Sequence, residues 1–147
     1  MSDNQIIKFK IVTPEKTVYE NLVLQATLPV ANGQITILPN HRSYIASLKS
    51  GEIMIRTEKD EISMAVSGGF IEFNNNELII LADTAEPAAE IDLKRAEAAR
   101  LRAEEVKKER VTMDEMEYAR VAAAIEKELA RIKVAKKHHT LHQIKID

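Results

Sequence analysis

The chain has 147 residues, a net charge of −2, no cysteine and no tryptophan. That length fits one domain, or a small domain with an appendage. The near-neutral charge and 4% aromatic content leave no footprint for nucleic acid or sugar stacking, and the lack of cysteine excludes disulfide and thiolate chemistry. All four glycines and all four prolines fall at or before Pro87, whereas residues 88–147 contain neither. Glycine and proline punctuate strands and turns, and their absence permits long helices. The expected organisation is therefore a turn-rich domain over 1–87 and a helical arm over 88–147. Of the 21 basic residues the first part holds 7 and the second 14; of the 23 acidic residues they hold 11 and 12. The arm is mildly basic.

The first residues, Met1 to Gln5, show no basic stretch leading into an apolar one, so no signal peptide is expected. No apolar run approaches the ~20 residues of a membrane helix. The segment 6–12 alternates as a strand and turns at Pro14. A second extended region, 18–28, is expected to bend near Glu20 and Asn21. Asn32 and Gly33 carry a strong hairpin signal, followed by a strand over 34–38 that Pro39 ends. Short strands are expected over 43–48, 52–56, 61–66, 69–73 and 77–82, with a turn at Asn74, Asn75 and Asn76, residues that tolerate positive φ. Such spacing predicts a β-sandwich or barrel. Asp92 is placed as the N-cap of a helix whose narrow stripe is Ala96, Ala99, Ala103 and Val106. Thr112 to Glu115 reads as a capping box, S/T-x-x-E, opening a second helix striped by Tyr118, Ala122, Ile125, Leu129 and Ile132. Residues 107–111 become the turn of a hairpin of two ~20-residue helices, each ~30 Å long. Such a hairpin has low local stability.

No P-loop or Rossmann glycine set is present. Gly68 and Gly69 could offer backbone N–H groups to phosphate, but a close backbone approach between strands is the simpler reading. His138 and His142 share a helix face beside His139, yet no third ligand has metal-site spacing, so no metal is expected. His41 reads as a loop histidine packed at a turn. Arg120, Lys127, Arg131 and His138 fall in a narrow arc of the second helix, either a solvated face or a stripe for an acidic surface or phosphate. Arg95 and Arg102 share a face of the first helix. With Lys127 or Arg131 from the partner helix they could form a cationic pocket suited to phosphate.

Several segments together resemble the epsilon subunit of bacterial and chloroplast F-type ATP synthases. They are Gly33-Gln34-x-x-Ile37-Leu38-Pro39-Asn40-His41, Leu48-x-x-Gly51, Ala65-Val66-Ser67-Gly68-Gly69-Phe70 and Ile79-Ile80-Leu81-Ala82. The resemblance continues through Ala85-Glu86 and Ile91-Asp92-Leu93-Lys94-Arg95-Ala96 into the helices. It implies an α+β chain: an N-terminal β-sandwich of about ten strands followed by an antiparallel two-helix hairpin. It also implies a non-catalytic rotor subunit at the foot of the central stalk, touching the gamma subunit and the c-ring. The expected location is the cytoplasmic face of the bacterial plasma membrane, with membrane contact only through the complex.

In that family the arm folds against the sandwich or extends into the catalytic head, where it inhibits ATP hydrolysis. Arg120, Lys127 and Arg131 would then meet the catalytic beta subunits. Some members bind ATP on the folded arm as a regulatory ligand, with no cofactor required. The resemblance carries that site onto Glu86, Ile91, Asp92, Arg95, Ala96, Arg102, Lys127 and Arg131. Lys127 stands where an arginine is expected, and Pro87 follows Glu86 directly. A different class, a free-standing sandwich displaying a coiled-coil hairpin to an unrelated partner, uses the same elements. A small enzyme is the weakest reading, because no nucleophile–base or metal set is visible.

Overall fold

A computed structural model describes residues 5–108 and 113–146, with side chains described as far as residue 141. Eight strands occur among the described residues: β1 (Ile7–Val12), β2 (Thr17–Val23), β3 (Gln25–Val30), β4 (Gly33–Ile37), β5 (Tyr44–Leu48), β6 (Gly51–Arg56), β7 (Glu61–Asn74) and β8 (Glu77–Pro87). A short 3-10 turn at Ala88–Glu90 leads into α1 (Leu93–Lys108), and α2 (Glu115–Ile146) completes the arm.

The strands pair in the order β2-β1-β8-β7-β6-β3-β4, with β5 joined to β7 off this path. The 14-residue β7 organises the sandwich. Its first half, Glu61 to Val66, pairs with β6, and its second half, Gly69 to Phe73, pairs with β5. β8 runs antiparallel beside both halves, and β1 adds to β8 in parallel. The two long strands are thus shared by both layers. Between the layers lies one apolar core, including Ile7, Phe9, Ile11, Leu28, Ile53, Ile55, Ile71, Phe73, Leu78 and Ile80, all essentially inaccessible to water. The period-2 alternation predicts this: Ile53 and Ile55 point inward while Glu52 and Met54 point away.

The structure corrects several expectations. The strand count among the described residues is eight, where the resemblance implies about ten, and 61–66 and 69–73 are one continuous strand. Gly68 (φ 55°) and Gly69 (φ 134°) lie in its middle. They redirect β7 without ending it, because antiparallel pairing with β8 resumes on both sides of Gly68. A Cβ on Gly69 would lie 1.9 Å from the Leu81 carbonyl oxygen, so no other residue fits without moving backbone. The region 18–28 divides at Leu24 instead of bending at Glu20 and Asn21; the Leu24 N–H donates to the Arg56 carbonyl at 2.7 Å. The expected turns are present. Ala31 and Asn32 link β3 to β4, with Gly33 at φ 126°, while Asn75 and Asn76 adopt φ of 49° and 58° between β7 and β8. His41 is a packed loop histidine, edge-on to Tyr44 and Phe73, whose Nδ1 meets the Arg42 carbonyl at 2.7 Å.

Asp92 caps α1: its Oδ1 accepts from the Arg95 N–H at 3.2 Å, and its carbonyl accepts from the Ala96 N–H at 3.0 Å. Thr112 and the turn residues 109–111 lie outside the described residues. The observed cap of α2 is Asp114, whose Oδ1 accepts from the Glu117 N–H at 2.8 Å; Asp114 with Glu117 repeats the cap-x-x-Glu spacing two residues later. α2 has 32 residues, not ~20, and is therefore about 48 Å long. The helices run antiparallel: Lys107 stands 5.5 Å above the Tyr118 ring at one end and Lys136 pairs with Glu97 at 3.7 Å toward the other. Ala96, Ile125 and Ile132 of the expected stripes are buried, whereas Val106 and Leu129 are exposed.

The bend predicts a sharp contrast between two glycines. Gly69→Ala should lower unfolding stability by more than about 3 kcal/mol in urea denaturation, combining positive-φ strain with a backbone clash. Gly33→Ala has the strain but open space around its Cβ, so about 1 kcal/mol is expected. Equal losses at the two positions would contradict this role for Gly69.

Candidate functional site

The arm sits on the sandwich through a small patch. Val134 and Ala135 of α2 are buried against Ala65 of β7, together with Ala88 and Ile91 of the connecting segment, and Leu93 packs at the edge. Burial of Val134 supplies about 1.5–3 kcal/mol. Ala65, Ala88 and Ala135 have little apolar area to bury, which leaves Ile91 and Leu93 as the larger neighbours.

Beside this patch lies a charged contact between the two parts. Arg131 Nε donates to Glu86 Oε2 at 2.9 Å, and Arg131 Nη1 donates to Glu128 Oε2 at 2.8 Å. One guanidinium thus ties the end of β8 to α2 and holds a carboxylate of its own helix. The side chains are shielded, with 20% of Arg131 and 11% of Glu128 exposed. Burial alone would lower the Arg131 pKa. Hydrogen bonds and charges from Glu86 and Glu128 outweigh it and hold the group above arginine's ordinary value. A raised folded-state pKa gives stability that is complete below the unfolded value and is lost only as pH rises through the folded one. Arg131 therefore remains charged throughout the neutral range.

Next to this triad is a cleft of about 430 Å³ between α2 and the sandwich, into which Lys16, Glu86, Glu90, Lys127 and Arg131 project from the sandwich turn, the connecting segment and α2. Three of the expected ATP residues, Glu86, Lys127 and Arg131, meet there. The other five do not line it. Ile91 is packed under α2, Ala96 is buried within the arm, and Asp92 caps α1. Arg95 is 87% exposed, at 3.6 Å from Asp92, and Arg102 is also exposed. The cationic pocket of Arg95 and Arg102 with Arg131 is therefore not assembled in this arrangement. Arg120 is exposed on α2, three turns before Arg131. Among the described residues no group of three or more His, Cys, Asp or Glu side chains is placed to hold a metal, and the His142 side chain lies outside the description.

Sequence reasoning overlooked Lys16, Glu90 and Glu52. Glu52 is the least visible of these. It alternates with core isoleucines and so reads as solvent-facing, yet α2 covers it and Lys137 Nζ donates to its Oε1 at 2.7 Å.

A β-sandwich joined at an ion-paired seam to an antiparallel helix pair defines a two-part class of small subunit, and comparison with known proteins agrees. Residues 6–88 match the model of the ATP synthase delta/epsilon chain β-sandwich domain, and residues 89–136 match that of its long α-helix domain. The chain belongs to the ATP synthase delta/epsilon chain family. Its relatives include the ATP synthase epsilon chains of Pediococcus pentosaceus and Syntrophobacter fumaroxidans. The first is 39% identical over 140 residues, covering 92% of this chain and 99% of the relative; the second is 41% identical over 131 residues, covering 89% and 96%. The fold is also similar to a chain in the Euglena gracilis mitochondrial ATP synthase structure of OSCP, F1 and c-ring, with a TM-score of 0.70 at 21% identity, covering 83% of this chain and 76% of that one.

The triad sets an expectation for stability. Arg131→Ala leaves two shielded carboxylates without their shared donor and should cost about 1–3 kcal/mol, read as faster amide exchange across α2. Arg131→Lys keeps the charge but loses the fork and should fall between. Unchanged α2 exchange in Arg131→Ala would remove the triad from arm docking.

Proposed function

We propose that this chain is the rotor-side regulatory subunit of an F-type ATP synthase. In this reading the sandwich anchors at the foot of the central stalk against the gamma subunit and the c-ring. The helical arm docks on the sandwich or extends toward the catalytic beta subunits, where it opposes ATP hydrolysis. The subunit couples rotation to synthesis without performing catalysis itself. In this reading contact with the membrane comes through the complex, at the cytoplasmic face of the bacterial plasma membrane. Among the described residues no helix is long and apolar enough to cross a membrane.

Alignment of nearly the whole chain with epsilon chains supports the anchoring half. The observation that carries the regulatory half is the small seat of the arm: Val134 and Ala135, with the Arg131 and Lys137 links, hold a helix about 48 Å long. A contact of a few kcal/mol is the size that ligand or partner binding can overturn. In the extended state Arg120, Lys127 and Arg131 supply cations for an acidic partner surface. ATP is proposed as a ligand of the docked state at Glu86, Ile91, Asp92, Arg95, Ala96, Arg102, Lys127 and Arg131. For this, Arg95 and Arg102 must turn toward the cleft, and phosphate must compete with Glu86 and Glu128 for the Arg131 guanidinium.

Cutting the chain after Glu86 should preserve assembly of the complex and raise its ATP hydrolysis; hydrolysis unchanged in the truncated complex would refute the inhibitory role. Arg95→Ala should abolish the calorimetric signal of ATP binding to the isolated chain. Binding that survives the substitution would remove Arg95 from the site.

A further inference from the structure

Across the sheet, Glu52 of β6 is registered with Ala65 of β7, and Ala65 with Glu86 of β8. The three residues form one row perpendicular to the strands, carboxylate–methyl–carboxylate. Neighbouring strands stand about 4.8 Å apart, so the two glutamates are separated by roughly 10 Å of backbone. α2 crosses this row. Arg131 meets Glu86 at 2.9 Å, Val134 and Ala135 cover Ala65, and Lys137 reaches Glu52 at 2.7 Å and the Met54 sulfur at 3.3 Å. The rise from Arg131 to Lys137 is about 9 Å, close to the span of the row.

We infer that the row Glu52–Ala65–Glu86 is a docking strip that fixes the register of the arm, and that Lys137 is its second charged latch. The two ion pairs do different work. Arg131 is already held by Glu128 of its own helix, so the Glu86 link ties down a guanidinium that has a partner either way. Lys137 and Glu52 face each other across the interface, and only 10% of Glu52 is exposed. Shifting α2 by one residue moves the lysine ammonium off Glu52 and leaves a shielded carboxylate unpaired, which is costly. The apolar middle, small on both sides, gives closeness but little register of its own. Lys137 is also the first residue beyond the segment matched to the long-helix family model. The latch therefore belongs to the part of α2 that lies past that match.

The inference deepens the movable-arm reading and rests on it for its physiological meaning, but the contact is testable in the isolated full-length chain. The chain has no cysteine, so Glu58→Cys and Leu141→Cys, both at exposed positions, accept a fluorophore pair that reports docked and undocked arm populations. Lys137→Gln, which removes the ammonium and shortens the side chain, and Glu52→Gln, which is nearly isosteric, should each raise the undocked fraction by about tenfold. The double variant should be no worse than either single one, and exchanging the charges, Glu52→Lys with Lys137→Glu, should restore docking. Raising salt from low ionic strength should undock the wild-type arm more than the Lys137→Gln arm. An undocked fraction unchanged in both single variants, or a charge exchange that fails to restore docking, overturns the latch. Unaltered ATP hydrolysis in a complex carrying these variants would count against the inhibitory reading and leave the docking result standing.

Discussion

The close approach of Gly69 to the Leu81 carbonyl is the constraint on which the other features rest. It lets β7 change direction without losing its pairing to β8, so one pair of strands serves both layers. The first half of β7 then lies between β6 and the end of β8, which aligns Glu52, Ala65 and Glu86. A glycine with no carbon to spare thus sets the floor on which a helix lies many residues later in the chain. The Ser67 and Thr84 hydroxyls hydrogen-bond to each other across the same bend.

The arm is attached by chemistry that differs from the chemistry of the sandwich. The sandwich closes on large aliphatic and aromatic side chains with no buried unpaired polar side-chain atom among the described residues. The arm closes on a small patch of three alanines, Val134 and Ile91, with Leu93 at its edge, flanked by charged hydrogen bonds. Apolar burial is not screened by salt, while ion pairs at a surface weaken as salt rises. The two parts can therefore respond differently to the same solution, the anchor staying folded under conditions that loosen the arm.

Local signals in the chain made much of this legible. Three asparagines marked the β7–β8 turn, Asn32 and Gly33 marked the β3–β4 hairpin, and Asp92 marked the start of α1. The loss of glycine and proline marked where strands give way to helices. The merging of two expected strands into β7 was not legible, because paired glycines read equally well as an ending and as a bend; only their pairing partner decides. The length of α2 was hidden for a related reason. Its end lacks a clean apolar stripe, since the helix is buried over a broad sector that includes Glu128, Val134 and Ala135, with Leu129 left outside. For the site, Lys127 and Arg131 were visible because their charges repeat at helical spacing, while Glu86 came only with the family resemblance. Glu52 and Lys16 were not, since each is brought in by tertiary packing from a strand or turn that is solvent-facing by its own pattern.

The parallel pairing of β1 with β8 sets the order in which the molecule can be built. Lys8 is registered with Glu77, so the first strand waits for about 70 residues of chain before its inner neighbour exists. Contacts of such long separation make folding slow relative to local hairpins. During synthesis β1 and β2 can pair as a hairpin, but one edge of β1 stays open until β8 emerges. The arm follows immediately behind β8 and leaves the ribosome after it. It therefore meets a sandwich that has only just closed, and the docking row, whose third member is Glu86, is completed just before the helix that covers it.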